Sequence, residues 1–263
     1  MTDERKDQLT AEADGLIEGR NAVIEALRTE ASIDKIFIQK GETDKTLGHI
    51  ASKARAAGIV VVEADRRKLD GMSRTHAHQG VIALAAVREY VSVEDILADA
   101  AAKNEKPLIV VCDEISDPHN LGAIIRTAYC AGAHGVIIPK RRGVGLTSAV
   151  FKSSAGAAAH IPVARVANLS STVDELKEKG VWVYGCDMEG ETWCSVNFDG
   201  GVALIIGSEG KGMSRLLKEK CDVMVSLPML GEATSLIASV AGGIIMYEVA
   251  RQRLGLKAVN PKG

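Results

Sequence analysis

Five nearly uninterrupted apolar runs in the second half of the chain constrain its fold more than any other feature of the sequence. Helical stretches separate these runs, which lie at Leu108–Cys112, 135–138, 181–184, 202–206 and 223–227. A strand that is apolar at every position has both faces buried, and such strands alternate with helices in parallel sheets that are covered on both sides. Ligands bind at the carboxyl ends of the strands in these sheets, so we expect the chemistry in the loops there.

The first half of the 263-residue chain predicts a smaller α/β unit. Helix-like and strand-like segments alternate along it, at 21–27, 33–38, 46–57, 58–63, 66–72 and 80–85. A charged, alanine-rich stretch with a helix predicted at 93–102 follows, and Pro107 marks the start of the second unit. We therefore predict an α/β fold with an N-terminal domain at 1–88, a linker at 89–106 and a parallel-sheet domain at 107–263.

Composition and charge narrow the functional classes. Aromatic residues make up 3% of the chain, so base stacking on exposed aromatic side chains is not expected to be its main device. The formal net charge of -2 gives no global attraction to RNA, so any RNA contact would use local basic patches such as 66–68 and 140–142. Taken alone, such triplets are more often solvated surface than binding sites.

The cysteines and the polarity of the chain indicate its compartment. Five cysteines, odd in number and without a C-x-x-C pair, argue against a disulfide framework and against a zinc site. The first fifteen residues are polar and acidic, and no segment is apolar over the length of a membrane span. We therefore expect a soluble protein of the reducing cytoplasm that binds neither a metal nor a membrane.

Three segments carry polar residues where predicted strands end. The first, D-P-H-N-L-G-A-I-I-R-T-A at 117–128, is a loop that leads into a helix. We expect Asn120 to cap this helix and Gly132 to end it. Arg126 places a guanidinium group in an otherwise apolar run. A purely structural role, with the stem packed and the head in solvent or on a carboxylate, explains Arg126 as well as a functional role does.

The second segment, I-I-G-S-E-G-K-G-M at 205–213, leaves a buried strand through a glycine-rich turn. Glycines there let backbone groups approach a ligand closely, although the spacing fits neither a P-loop nor a dinucleotide-binding fingerprint. Glu209 is placed to orient a hydroxyl group or an arginine, or to cap the following helix. The third segment, 225–248, ends in a helix of small and apolar residues, which predicts either a core helix or one side of a homodimer interface.

Taken together and in this order, three patterns resemble the motifs of the SpoU-type (TrmH-like) RNA ribose 2′-O-methyltransferases: N-x-G-A-I-x-R-T-A, I-G-S-E-G-x-G and L-P-M-x-G-x-x-x-S-L. The resemblance covers about 107–253. In addition, G-R-N-A-V-I-E-A-L at 19–27 and H-Q-G-V-I-A at 78–83 resemble the N-terminal RNA-binding domain of the bacterial branch that methylates guanosine in 23S ribosomal RNA.

The resemblance implies more than the residue patterns show. It implies a C-terminal segment threaded into a deep trefoil knot, S-adenosylmethionine bound by the knotted loops, and a homodimer formed through the C-terminal helix. The residues it places at the cofactor are Gly207, Ser208, Leu227, Met229, Gly231, Ser235 and Leu236. It makes 1–88 a domain that selects the RNA, with a guanosine of 23S ribosomal RNA as the favoured substrate and tRNA as the alternative.

The resemblance also implies a catalytic site that needs no metal. Its catalytic residues are Asn120, Arg126, Glu209 and Ser235, with Arg126 as the family's proposed proton acceptor. Because a guanidinium group stays protonated in proteins, we expect Arg126 instead to stabilise the developing alkoxide and to anchor the adjacent phosphate. The expected RNA contacts, which would make binding depend on salt, are Arg126, Lys140, Arg141, Arg142 and Lys152.

One position departs from the family pattern. Ile237 follows Ser235 and Leu236 where the family usually has asparagine. An aliphatic side chain cannot replace the hydrogen bonds of an amide, and the loss of one oriented polar contact costs roughly tenfold to a thousandfold in rate. The alternative to an active enzyme is therefore a weakly active or non-catalytic protein of RNA binding or ribosome assembly. A dinucleotide-dependent α/β enzyme is a third hypothesis, but its glycine fingerprint is missing.

Overall fold

The structure is a computed structural model that describes residues 15–29, 31–41, 44–232 and 235–257. These residues form two units. The first contains the described residues up to Glu89 together with Gly145–Ser148, and the second contains Tyr90–Val144 and the described residues from Ala149 onward.

The first unit is built on a four-stranded mixed sheet. Its elements are β1 (Leu16–Glu18), α1 (Arg20–Arg28), β2 (Ile33–Gln39), α2 (Lys45–Ala56), β3 (Val60–Ala64), α3 (Arg66–Met72) and β4 (Val81–Ala85). The strand order is β1-β4-β2-β3, in which β2 runs parallel to β3 and β4 runs antiparallel to both of its neighbours. The sequence predicted each of these elements except β1, whose three residues are too few to show a period.

Aspartate caps at two helices and an apolar core stabilise this unit. Asp44 accepts hydrogen bonds from the backbone N–H groups of Thr46 and Leu47 at the start of α2, and Asp65 accepts one from Lys68 in α3. The inward faces of α1 and α2 then pack on the sheet. Fully or almost fully buried residues of this core include Val23, Ile36, Leu47, Ile50 and Val81.

The second unit carries the parallel sheet that the apolar runs predicted. Its strands are β5 (Leu108–Cys112), β6 (Gly135–Pro139), β7 (Val163–Val166), β8 (Val181–Thr192), β9 (Gly201–Ile206) and β10 (Val223–Ser226). Their order is β10-β8-β9-β5-β6-β7, and every neighbouring pair is parallel. Its α-helices are α4 (Val93–Ala102), α5 (Pro118–Cys130), α6 (Ser148–Ser153), α7 (Leu169–Glu178), α8 (Arg215–Lys218) and α9 (Ala238–Arg253), and Ala157–Ala159 form a 3-10 helix. The first residue of α6 belongs to the first unit.

Burial on both faces of this sheet explains the uninterrupted apolar runs. Alternate residues of a strand point to opposite faces. In β5, Ile109 and Val111 join one core with residues of α4 and α7, while Val110 and Cys112 are fully buried on the other side. On α9, a Cβ at Gly242 would come within 2.3 Å of Cδ1 of Ile206, so this helix lies directly on β9.

The order of the strands reverses beside β5. The chain moves outward from β5 through β6 to β7, and it then returns to place β9 on the other side of β5. The loops after β5 and β9 therefore lead to opposite sides of the sheet. Open α/β sheets bind ligands at such a reversal, outside the carboxyl ends of the strands.

The stretch expected to be a linker, 89–106, lies almost entirely in the second unit. Ser92 and Asp95 form a reciprocal capping box at the start of α4. Ile96 is fully buried in the core beside the sheet, together with Val93 and Ala100. The charged composition concealed this packing, because the acidic side chains occupy the outward positions of the same helix.

Candidate active site

The loops that follow β5, β9 and β10 lie at the carboxyl ends of the parallel strands. The three segments singled out in the sequence include these loops. Helix α5 begins at Pro118, and its cap is Asp117, whose carboxylate accepts from the N–H groups of His119 and Asn120. The prediction that Asn120 caps this helix is therefore wrong, because proline favours the first helical position and the cap precedes it. Gly132 follows the helix with a φ of +76°, as expected for a helix end.

Asn120 joins the three segments. Its Nδ2 donates to Oε1 of Glu209 over 3.0 Å, and its Oδ1 accepts from Oγ of Ser239 over 3.0 Å. These bonds connect α5, the turn after β9 and the first turn of α9. The sequence prediction missed Ser239, although it stands only four residues after Ser235, at the end of the S-L-I-A-S run.

The glycine-rich turn after β9 brings backbone groups to the site. Ser208 and Gly212 exchange backbone hydrogen bonds of 3.0 and 2.9 Å, which close 208–212 into a tight turn. Gly212 has a φ of +66°, a conformation that favours glycine. A Cβ on Gly207 would lie 2.3 Å from backbone atoms of Gly212 and Met213, so the chain passes too close for any side chain there.

A cavity of about 680 Å³ opens between this turn, the loop after β10 and the start of α9. We name it the apolar cavity because buried aliphatic residues, Ile206, Val225 and Ile245, line it. It contains six predicted cofactor residues: Gly207, Ser208, Leu227, Met229, Ser235 and Leu236. Gly231 is exposed and lies outside the lining. Residues of the lining that lie outside the three segments, and that the sequence could not identify, are Cys186, Asp187, Met188 and Lys218.

Asp187 and Lys218 form an ion pair at the wall of the apolar cavity. Burial alone would raise the pKa of Asp187, but hydrogen bonds from Lys218 and from the N–H of Glu189 outweigh burial and hold this pKa below its ordinary value. Burial raises the pKa of the neighbouring Cys186 thiol. The wall therefore combines an ionised carboxylate with a neutral thiol.

A second cavity of about 530 Å³ adjoins the first and shares Ser208, Glu209 and Lys211 with it. We name it the polar cavity because most of its lining bears polar or charged groups. The remaining lining residues are Glu114, Ile115, Ser116, Asp117, Asn120 and Arg142. Glu209 thus faces both cavities, and its partner Asn120 faces the polar one.

Arg126 is not brought together with Asn120 and Glu209. It is exposed on α5 and lines neither cavity, and its guanidinium makes no hydrogen bond or ion pair with another residue that the structure describes. Helix geometry explains the separation, because six positions after Asn120 the side chain points about 120° away around the axis. Of the other predicted RNA contacts, Lys140 is partly exposed, and Arg141, Arg142 and Lys152 are exposed.

An exposed, largely apolar surface lies next to Arg126 where α5 packs against α9. We name it the α5–α9 surface, and its residues are Ala123, Thr127, Ser239, Val240, Gly243, Ile244 and Tyr247. Val240, Ile244 and Tyr247 are all exposed, whereas Ile245 and Met246 on the opposite side of α9 are buried. Grouped apolar side chains at a surface are typical of a site that another protein covers.

Among the described residues, no three His, Cys, Asp or Glu side chains come together as a metal site. Within the same part of the chain, every helix is too short or too polar to cross a membrane.

Two family models match the chain. Residues 107–247 match the SpoU rRNA Methylase family, and residues 16–91 match the family described as RNA 2′-O ribose methyltransferase substrate binding. The fold and the three segments of the second unit are therefore those of a methyltransferase. The chain belongs to the SpoU rRNA Methylase family and is an RNA methyltransferase, which confirms the resemblance of its three segments to the SpoU-type family.

Individual relatives agree with this assignment. YacO of Bacillus subtilis (strain 168), named as a member of the TrmH family of tRNA/rRNA methyltransferases, is 49% identical over 246 residues, which cover 93% of this chain and 96% of YacO. A protein of Staphylococcus aureus (strain MSSA476) with the same family name is 45% identical over 241 residues, 91% of this chain and 97% of that one. The solved structure of the AdoMet-bound rRNA methyltransferase from Sinorhizobium meliloti has a TM-score of 0.57 at 26% identity, covering 95% of this chain and 91% of that chain.

Proposed function

We propose that this protein transfers a methyl group from S-adenosylmethionine to a ribose 2′-hydroxyl of RNA, with a guanosine of 23S ribosomal RNA as the favoured target. The observation that carries the proposal is the position of the hydrogen-bonded pair Asn120 and Glu209. Glu209 lies at the boundary between a cavity suited to a nucleoside cofactor and a cavity suited to a nucleotide of RNA. A methyl group can therefore pass between two ligands in adjoining spaces.

The residues of the apolar cavity fit S-adenosylmethionine. A volume of about 680 Å³ is within the range of small-molecule sites, and the aliphatic walls suit an adenine ring. The missing Cβ at Gly207 lets backbone groups approach the ligand, and Leu227 and Leu236 supply further backbone to the same lining. The cofactor supplies the methyl group in activated form, on a sulfonium.

The side chains of this protein would orient the acceptor hydroxyl and stabilise its charge. Asn120 holds Oε1 of Glu209, which leaves Oε2 to accept a hydrogen bond from the acceptor hydroxyl. Because Glu209 and Ser239 both bind Asn120, its amide is held in one orientation. Because Arg126 lines neither cavity of its own protomer, we assign it to the developing alkoxide and the adjacent phosphate at the site of the other protomer in a homodimer. Ser235 completes the catalytic group at the wall of the apolar cavity.

The RNA would be bound by cations around the site and by the first unit. Lys140, Arg141 and Arg142 follow the end of β6 and Lys152 lies in α6, all with exposed or partly exposed side chains. The match of residues 16–91 to a substrate-binding family of RNA 2′-O ribose methyltransferases supports both the ribose acceptor and a role of this domain in selecting RNA. A cytoplasmic protein would meet such RNA directly.

We further propose a homodimer formed through α9, with the C-terminal segment threaded as a trefoil knot. The exposed Val240, Ile244 and Tyr247 of the α5–α9 surface support the dimer, and family membership supports the knot. Arg126 precedes Thr127 of this surface, so a covering protomer would also restrict the guanidinium group. Light scattering on Tyr247→Asp should find a monomer if this surface is the interface.

Methyl transfer from labelled S-adenosylmethionine to ribosomal RNA, taken from a strain without its own homologue, tests the proposed activity. Arg126→Ala should lower the transfer rate about a hundredfold, while cofactor affinity measured by calorimetry stays unchanged. Arg215→Ala is the matched control, because Arg215 is exposed on α8 and pairs with Glu219 directly after this helix. Digestion to nucleosides should yield a 2′-O-methylated nucleoside, and a methyl group on a base would contradict the ribose assignment.

The same assay with tRNA addresses the alternative substrate, because the relatives are named for both tRNA and rRNA.

A second candidate function, RNA binding with weak or no catalysis, is favoured by Ile237, whose aliphatic side chain lines the apolar cavity. Binding of cofactor and RNA without any label in the RNA would support this second candidate over the first.

A further inference from the structure

Two loops at the polar cavity hold a pair of residues in an uncommon backbone conformation. Glu114, after β5, has a φ of +56°, and Arg142, after β6, has a φ of +61°, in the left-handed region that residues other than glycine rarely adopt. Nη1 of Arg142 donates to Oε1 of Glu114 over 3.1 Å, and both residues line the cavity. Residues held in this region cluster at ligand-binding sites.

Contacts between the two loops keep the pair in place. The N–H of Val144, two residues after Arg142, donates over 2.9 Å to the C=O of Ile115, which directly follows Glu114. The side chain of Glu114 is 28% exposed and that of Arg142 is 80% exposed, so the carboxylate is part of the wall and the guanidinium is reachable from solvent. An ion pair this exposed contributes little to stability, and stability therefore does not account for two left-handed residues.

We propose that Glu114 and Arg142 read the base of the nucleotide that receives the methyl group, and that they favour guanine. This inference rests on the proposed function and adds a specificity site to it. The Watson–Crick edge of guanine carries two adjacent donors, N1–H and the N2 amino group, next to the acceptor O6. A carboxylate accepts from both donors, and a guanidinium beside it donates to O6. Adenine, cytosine and uracil lack two adjacent donors on this edge.

The position of the pair agrees with the remaining parts of the site. A cavity of about 530 Å³ has room for a base, and the ribose of the same nucleotide would lie at Asn120 and Glu209 in the same lining. Arg142 lines the polar cavity, whereas Lys140 and Arg141 are outside the linings of both cavities. We therefore assign Arg142 to the base and leave those two residues to the RNA backbone.

The first test identifies the methylated nucleosides that wild type and Glu114→Gln produce in ribosomal RNA. Wild type should yield 2′-O-methylguanosine alone. Glu114→Gln should lower kcat/KM at that site about tenfold to a hundredfold and raise the share of other 2′-O-methylated nucleosides. Glu114→Gly should do the same without risk to folding, because glycine adopts a positive φ without strain. Glu178→Gln, at an exposed carboxylate on α7, is the matched control.

The second test uses short synthetic RNAs that carry guanosine or inosine at the mapped position. Inosine differs from guanosine only by the loss of the N2 amino group. Wild type should lose about tenfold in kcat/KM on this replacement, whereas Glu114→Gly should lose little, because this variant has no side-chain acceptor for the amino group. A residue that only supports the loop would show the same ratio in both proteins.

The outcomes separate this inference from the function on which it rests. Equal rates of wild type on guanosine and inosine, or methylation of a nucleoside other than guanosine, would overturn the base-reading role and leave the methyltransferase intact. Unchanged kcat/KM and nucleoside identity in both Glu114 variants would overturn it as well. If wild type forms no 2′-O-methylated nucleoside, the proposed function itself fails and the inference fails with it.

Discussion

The apolar and polar cavities lie side by side and share Ser208, Glu209 and Lys211, yet they are built in different ways. Strand ends, a glycine turn and small residues of α9 line the apolar cavity, and backbone segments pack closely against each other at Gly207. Side chains on loops line the polar cavity, including Glu114 and Arg142 with positive φ. We therefore expect the proposed cofactor side of the site to depend on backbone packing, and the proposed acceptor side on the identity of single side chains.

Gly207→Ala tests whether the apolar cavity depends on backbone packing, and it should lower cofactor affinity more than any other variant. The new Cβ would lie 2.3 Å from backbone atoms of Gly212 and Met213, so the turn has to shift. We expect the affinity for S-adenosylmethionine, measured by calorimetry, to fall about a hundredfold or more, and the free energy of unfolding by about 1–3 kcal/mol. Gly48→Ala is the control, since a Cβ there meets nothing within 4 Å. Wild-type affinity in Gly207→Ala would show that this turn does not contribute to cofactor binding.

Asn120→Asp tests the boundary between the cavities. The change places a second carboxylate beside Oε1 of Glu209, which the amide now approaches to 3.0 Å, and like charges repel. We expect kcat to fall about a hundredfold with nearly unchanged cofactor affinity, because Asn120 lines the polar cavity and not the apolar one. Asn168→Asp is the control, because aspartate caps α7 as well as asparagine does. A parallel loss of cofactor affinity would mean that the two cavities act as one.

Ile237→Asn should raise both stability and methyl transfer, by less than the preceding variants lower the quantities they affect. Ile237 occupies the N-cap of α9, where it makes no side-chain hydrogen bond and is 54% exposed. Asparagine at this position would accept from backbone N–H groups of the first turn and raise the free energy of unfolding in urea by about 1 kcal/mol. Methyl transfer should rise as well, because the start of α9 forms part of the apolar cavity. Ile237→Val, which cannot cap, should leave both quantities unchanged, and an equal response of the two variants would rule out capping.

Asp187→Asn should have the smallest effect of the four variants, a pH-dependent loss of unfolding free energy. The pKa of Asp187 is lowered in the folded protein, where burial is outweighed by the hydrogen bond from Lys218, so the folded state holds this proton less tightly than the unfolded state. The stability it contributes is therefore present above the unfolded pKa of 3.8 and is lost as pH falls through the lower folded value. Urea unfolding should show a deficit of at most about 1 kcal/mol in the variant from pH 7 to pH 5, shrinking below about pH 4. A deficit that is the same at every pH would indicate packing rather than charge.

The parallel sheet and its polar loop segments were predictable because their signals are local. An apolar run such as Leu108–Cys112 reports burial on both faces, and the glycines after β9 report a tight turn. By contrast, β1 has only three residues, and β7 has four, one of which is Arg165. Too few residues remain in either strand for a period to emerge.

The roles of single site residues depended on distant parts of the chain. Asn120 stands close enough to the helix start to suggest a cap, but the cap is Asp117, and the side-chain partners of Asn120 are 89 and 119 residues away. Asp187 reaches the apolar cavity from β8, in a stretch that carries no motif. No local pattern spans such separations.

A parallel α/β sheet, a glycine turn after one of its strands and polar residues at the carboxyl ends of others were predictable from the order of residues alone, because burial and backbone conformation leave local patterns. Tertiary packing was needed to show that these loops enclose two adjoining cavities, that Arg126 lies outside both and that Glu114 meets Arg142. Loops meet according to strand order, and hydrophobic periodicity carries no information about which strands become neighbours.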